Sequence, residues 1–150
     1  MIALRPVRVA DIERLAAWLP RVAAESGCAR WSDAGALRAA TGRAGVALGG
    51  DVDAESFVAY ETGAPARDDA VVRFLAVEPG RRRLGAGFRT ALAVEERLAR
   101  AAKRCYVLVP GNLGLALYFW LRLGYRPLTQ GEWPAVPAET PAVWMVRELR

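Results

Sequence analysis

The chain has 150 residues, 53% of them hydrophobic and 25% charged, and a formal net charge of +5, a size and balance suited to one folded domain with a real core over 1–150. It contains no histidine and two cysteines, Cys28 and Cys105, which excludes histidine-based catalysis, most zinc sites and a disulfide framework, so no metal is expected. No apolar run approaches the ~18 residues that cross a bilayer, and Arg5, Arg8 and Asp11 break the stretch where a signal peptide would need unbroken apolar sequence, so the expected location is cytoplasmic.

In chain order, residues 2–9 have β character, and Asp11 is placed to cap a helix over 11–25 with Ile12, Leu15, Ala16 and Leu19 at helical spacing. Pro20 should end or kink that helix. Ser32 is a good N-cap for a second helix carrying Leu37 on its buried face. Residues 45–50 read as a strand closed by the Gly49-Gly50 turn, and residues 55–62 alternate as another, with Phe57 and Ala59 set against Val58 and Tyr60. Residues 69–77 form a longer strand that ends apolar on both faces, at Phe74, Leu75, Ala76 and Val77, as a central strand covered on both sides would.

From Gly87 a helix runs to Lys103, with Phe88, Leu92, Val94 and Leu98 apolar and an outer face of Arg89, Glu96, Arg97 and Arg100. Residues 105–110 are a strand, and 114–124 a short helix stopped by Gly124. Two last strands, 125–130 and 142–149, are separated by a proline-bearing loop. The order β-α-α-β-β-β-α-β-α-β-β is an α/β mixture whose middle strand-helix-strand unit should pair its strands in parallel.

Of the 21 basic residues only Lys103 is lysine. A coding bias towards arginine explains that as well as a surface built for an anionic partner does. The charges cluster at one place, Arg81, Arg82 and Arg83, and that place carries the strongest signal in the chain. Val77, Glu78, Pro79, the three arginines, Leu84, Gly85, Ala86, Gly87 and Phe88 lie between a buried strand and an amphipathic helix. Gly85 and Gly87 let backbone approach a ligand, and the helix start offers free N–H groups and a favourable dipole to an anion such as a pyrophosphate. No Gly-Lys-Ser/Thr follows, so this is not a Walker loop. Its glycine spacing also differs from the GxGxxG of dinucleotide folds.

The stretch resembles the acetyl-CoA loop of the GNAT (GCN5-related N-acetyltransferase) superfamily, Val-x-Pro-x-x-Arg/Gln-x-x-Gly-x-Gly/Ala, which Val77, Pro79, Arg82, Gly85 and Gly87 match. The helix, strand and short aromatic helix ending Leu123-Gly124-Tyr125 follow in the order of that family. Motif-level likeness covers about residues 71–127. The resemblance implies a mixed sheet of about seven strands flanked by about four helices, with a splay between two central parallel strands. It implies an N-acyltransferase that moves an acetyl or short acyl group from acyl-CoA to an amine. Backbone N–H groups of Arg82, Arg83, Leu84, Gly85, Ala86, Gly87 and Phe88 would cradle the pyrophosphate, the main chain of Leu75 to Val77 would pair with the pantetheine arm, and Asn112 would hydrogen-bond it.

Family members often protonate the leaving thiolate with a tyrosine of the short helix, and here the pattern departs. Four residues before Gly124 stands Trp120, and seven after Asn112 stands Phe119. Tyr118 lies two positions from Trp120, about 200° around a helix, so the two do not share a face. Either the helix is shifted and Tyr118 is the acid, or Trp120 takes that place and no tyrosine acid exists. Glu78 is the candidate base, with Glu61, Asp69 and Glu132 as others and a water-mediated route compatible with all. The acceptor side would be formed around Trp31, with Glu25, Cys28 and Asp33, and around Glu132 and Trp133, aromatics and carboxylates suited to a cation. By analogy the last strands suit a homodimer. A competing expectation is a CoA-binding regulatory module without turnover. A nucleic-acid partner is disfavoured, because the arginine triplet has no aromatic beside it before Phe88.

Overall fold

In a computed structural model of the chain, residues 3–50, 55–81, 85–110, 114–134 and 142–149 are described. Strands β1 (Ala3–Arg5), β2 (Val46–Gly50), β3 (Ser56–Thr62), β4 (Asp69–Val77), β5 (Arg104–Pro110), β6 (Arg126–Pro127) and β7 (Ala142–Glu148) form one seven-stranded sheet in the order β1-β2-β3-β4-β5-β7-β6. Helices α1 (Ile12–Ala16), α2 (Leu19–Glu25), α3 (Ala34–Ala39), α4 (Ala86–Leu98) and α5 (Gly114–Arg122) flank it. All neighbours are antiparallel except β4 and β5. That parallel pair is joined through α4, since parallel strands need a long crossover. Among the described residues no helix is long and apolar enough to cross a membrane.

The element order is the expected one, and the local differences have local causes. β1 stops at Arg5 because Pro6 has no N–H to give a ladder. The first helix breaks at Ala17 and Trp18, ahead of Pro20, which sits in the first turn of α2 where a missing N–H costs nothing. Asp11 does not cap that helix. It accepts the Arg8 N–H at 2.8 Å and takes both Arg5 guanidinium nitrogens at 2.7 Å. Asp33, not Ser32, caps α3, accepting the Gly35 N–H at 3.0 Å, while the Ser32 hydroxyl donates to the Ala29 carbonyl. The strand expected over 125–130 shrinks to β6, because Thr129 and Glu132 close a reciprocal cap around a short 3-10 turn.

Two larger cores lie beneath the helices, with a smaller cluster of Val71, Leu128, Trp144 and Val146 besides. Leu15, Leu19, Trp31, Leu37, Leu48, Phe57, Phe74 and others pack beneath α1–α3, and Val58, Val72, Val94, Leu98, Val107, Trp120 and Met145 beneath α4 and α5. α4 lies on the sheet through small or short residues, Ala86, Thr90, Ala91 and Val94, and the Thr90 and Ser56 hydroxyls share a buried hydrogen bond of 2.6 Å. Phe88 and Leu92, expected on the apolar face, are instead 44% and 43% exposed.

One feature of β4 was not expected. Its pairing with β3 shifts between Ala59 and Tyr60: Tyr60 stands opposite Val72 and Ala59 opposite Phe74, so Arg73 is an extra residue. Such a bulge reverses the alternation of side chains. Ala70 and Val72 therefore face α4 and α5, whereas Phe74 and Ala76 face α1–α3.

Candidate functional site

The bulge stands where β4 parts from β5. The parallel ladder runs Asp69↔Arg104, Ala70↔Cys105, Val71↔Tyr106 and ends at Val72↔Val107. Beyond it β4 continues with β3 alone, up to Ser56↔Val77, and β5 continues with β7, up to Pro110↔Ala142. The two central strands thus diverge over their C-terminal halves, as a splay requires. Leu75 lies on the α4–α5 side of the parting and is partly buried there.

At the end of β4 the chain makes a 3-10 turn, Pro79–Arg81, and reaches α4 through Gly85. Gly85 is the N-cap residue of α4 at φ 82° and ψ 4°, a left-handed conformation that residues bearing a Cβ adopt at a cost. Its carbonyl accepts the Arg89 N–H at 3.0 Å, so the helix is wound from its first turn. Gly87 serves a different need. A Cβ there would stand 3.3 Å from Val77 Cγ2 and 3.6 Å from the Phe119 ring. The missing side chain lets the first turn of α4 sit directly against the end of β4 and the side of α5. The first-turn amides of Ala86, Gly87 and Phe88 thereby open beside the parting of the strands, the arrangement that suits an anion. Ala86 is buried, and Phe88 points outward. Arg82, Arg83, Leu84 and Asn112 lie outside the described residues.

The register of α5 is settled. Trp120 is 7% exposed and packs edge-on against Phe119 and Tyr125 at 5.1 and 5.0 Å between ring centres. Tyr118 is 60% exposed, with the Arg122 guanidinium carbon 5.9 Å from its ring centre. The inward face of α5 therefore presents Phe119 and Trp120, and this placement gives no support to Tyr118 as an acid.

The four candidate bases are each engaged. Glu78 accepts from Arg14 Nη2 at 2.7 Å. Glu61 is held by Arg73 at 2.8 Å, and Glu132 belongs to the Thr129 cap with Arg126 3.8 Å away. Asp69 is buried, accepts from Ala66 and Arg104, and sits at the far end of β4. Eight residues of strand put it roughly 26 Å from Val77, at the end of β4 that stays paired with β5.

The acceptor candidates separate too. Trp31 is 3% exposed, edge-on to Phe57 at 4.9 Å, with Arg30 over its ring, so it belongs to the core beneath α1–α3 rather than to a solvent-facing wall. Trp133 is 36% exposed and donates its indole N–H to the Leu128 carbonyl at 3.1 Å. Cys105 is buried, and burial pushes its thiol up to about 11, which leaves it unreactive.

No protein-family model matches the sequence, and no curated protein sequence matches it significantly. The fold does match solved structures. A GNAT-family acetyltransferase from Staphylococcus aureus aligns at TM-score 0.76 with 14% identity, covering 100% of both chains. An aminoglycoside acetyltransferase in complex with coenzyme A aligns at 0.76 with 12% identity, covering 99% of this chain and 95% of that one. The ribosomal-protein-S18-alanine N-acetyltransferase of Escherichia coli aligns at 0.68 with 15% identity, covering 99% and 94%. The chain has the GNAT fold.

Proposed function

We propose that this chain is an acyl-CoA-dependent N-acyltransferase, a single catalytic domain that passes an acetyl or short acyl group to an amine. The observation that carries this reading is the parting of β4 and β5 beyond Val72 and Val107, with a left-handed Gly85 and the start of α4 at its mouth. A strand edge facing a gap accepts an extended amide-bearing chain, as the pantetheine arm is. The helix start beside it accepts a pyrophosphate. Solved structures of the same fold are acetyltransferases, one of them with coenzyme A. In this reading Leu75 and Val77 pair with the arm through their main chain, residues 82–88 hold the pyrophosphate, and Asn112 adds a hydrogen bond.

The amine nitrogen attacks the thioester carbonyl, a C–N bond forms, the C–S bond breaks, and the thiolate leaves. A backbone N–H of β4 near Val77 would stabilise the oxyanion. Glu78 holds Arg14 and Tyr118 faces solvent, so the proton of the amine leaves through water and the thiolate departs without a phenolic donor. The fold does not select the acceptor: structures that share it act on an aminoglycoside and on a protein alanine.

One observation favours a second reading, a CoA-binding module without turnover: the inward side of α5 offers Phe119 and Trp120, neither of which gives up a proton. Thermal unfolding with acetyl-CoA, followed by a thiol-release screen over amines, separates these. Ligand at about 100 times its dissociation constant should add about 2.7 kcal/mol, roughly 5–10 °C for a chain this long, and Gly85→Glu should abolish the shift. A shift with no thiol release for any amine points to the binding module. No shift at millimolar acetyl-CoA sinks both.

A further inference from the structure

Arg14 and Glu78 are 64 positions apart in sequence, yet Arg14 Nη2 donates to Glu78 Oε2 over 2.7 Å, with side chains only 34% and 23% exposed. Glu78 is the residue at which the chain leaves β4. Its main chain is fully used: the N–H donates to the Glu55 carbonyl at 2.9 Å, and the carbonyl accepts the Arg81 N–H at 2.8 Å. Arg81 Nη1 in turn stands 3.7 Å from the Glu55 carboxylate. Glu55, Glu78 and Arg81 thus tie the 3-10 turn to the start of β3, and Arg14 ties the same point to α1, on the opposite side of the sheet from α4.

α1 has five residues, too few to be stable on its own, so it is held in place by packing, chiefly through buried Leu15 beside Arg14. Because α1 is fixed by the core, the Arg14 backbone is a fixed post from which its side chain reaches Glu78. We propose that Arg14 is a positioning residue for acyl-CoA. Through Glu78 it holds the direction in which the turn leaves β4, and hence the aim of the amides that open α4. The inference rests on the acyl-CoA reading, and it gives the Glu78 carboxylate a structural duty in place of proton transfer.

An ion pair whose side chains stay a quarter to a third exposed contributes modestly to global stability, so a purely structural pair and a positioning pair behave differently on removal. The test uses Arg14→Gln, Glu78→Gln, the double variant and Arg14→Lys, with acetyl-CoA affinity by titration calorimetry and amide exchange at Arg81 and at residues 85–88. Each single variant should weaken acetyl-CoA about 5–10-fold with little change in melting temperature. The double variant should be no weaker than the singles, since they break one contact. Arg14→Lys should recover part of the loss. In any variant that turns over, KM should rise while kcat holds within about twofold, with an unchanged pH profile in Glu78→Gln. Exchange at Arg81 and 85–88 should quicken while the rest of α4 does not. If affinity and exchange both stay at wild-type values, or if kcat falls with a displaced pH profile in Glu78→Gln, the proposal is overturned. If wild-type protein binds no acetyl-CoA while exchange still responds to Arg14→Gln, the acyl-CoA reading fails and the clamp survives as a device for aiming the loop.

Discussion

At its start β4 has a strand on each side: Ala70 faces Cys105 on β5 and Thr62 on β3. At its end Leu75 and Ala76 have β3 alone, facing Val58 and Phe57. The first end is closed by buried side chains and by the Asp69–Arg104 ion pair at 3.3 Å. The second is opened by the Arg73 bulge and held by contacts made from outside the strand, through Arg14, Glu55 and Arg81. One strand thus serves as scaffold over one half and as a presented edge over the other. If that division is real, stability and ligand affinity should respond to different substitutions along it.

The largest expected effect is at the closed end. Met145 of β7 is fully buried opposite Val107, at the last rung before the strands part. Met145→Ala should cost about 2–5 kcal/mol of stability, measured by urea unfolding. Acetyl-CoA affinity in the folded fraction should stay within about twofold. A parallel loss of affinity would mean that the two halves are one cooperative unit, and the comparison would fail.

Gly85→Ala probes the open end. The left-handed conformation should cost about 1–2 kcal/mol for any residue with a Cβ. The Cβ itself meets only the end of the Arg89 side chain, at 3.1 Å, which can move. Backbone strain is therefore the main effect, and it falls at the helix start. We expect a modest drop in melting temperature with at least a tenfold loss of acetyl-CoA affinity, the reverse of the Met145 pattern.

These two positions also show what the sequence makes legible. The glycine loop could be read because its chemistry is local: a buried run, a proline, arginines and two glycines sit within a dozen residues, and backbone conformation depends on near neighbours. The bulge at Arg73 could not be read. Residues 70–77 are apolar on both sides of it, so alternation gives no phase to lose, and a lone arginine in an apolar run was the one available sign. The burial of Trp31 was not legible because an indole suits a cation site or a core equally well, and Phe57, which it meets edge-on, comes from a strand distant in sequence. Phe88 and Leu92 went to the wrong face of α4 because the inward face, besides Val94 and Leu98, is built from Ala86, Thr90, Ala91 and Glu95, which hydropathy underweights against larger neighbours. The Arg14–Glu78 contact joins elements that only the tertiary fold brings together.

Gly87→Ala sharpens the distinction between the two glycines. Replacing a helical glycine by alanine gains up to about 1 kcal/mol of helix propensity. Against that, the added Cβ crowds Val77 and Phe119, and overpacking typically costs about 1–3 kcal/mol. The net loss should be small, about 0–2 kcal/mol, and Phe119→Leu should relieve it in the double variant. Gly85→Ala should gain nothing from Phe119→Leu, since its strain is in its own backbone. If Phe119→Leu rescues both or neither, the two glycines do not have the separate duties assigned to them.

The smallest effect concerns the foundation of α1, on which the aim of the open end depends. Hydrogen bonds from Arg5 hold the Asp11 carboxyl below its ordinary value, with further help from the Arg8 N–H, against an opposing effect of burial. A carboxylate whose pKa is lowered by folding adds stability that is fully present above the unfolded value and is lost as pH falls through the folded one. The stabilisation should therefore be constant from neutrality down to about pH 4 and fade below it. Asp11→Asn removes the titrating group, so its melting temperature should lie slightly below wild type at pH 7, and the gap should narrow as pH falls below about 4. A gap that does not narrow with acid would mean that the side chain acts through shape and neutral hydrogen bonds rather than charge. In that case the Arg5–Asp11 pair would leave α1 held by Leu15 and its core neighbours alone.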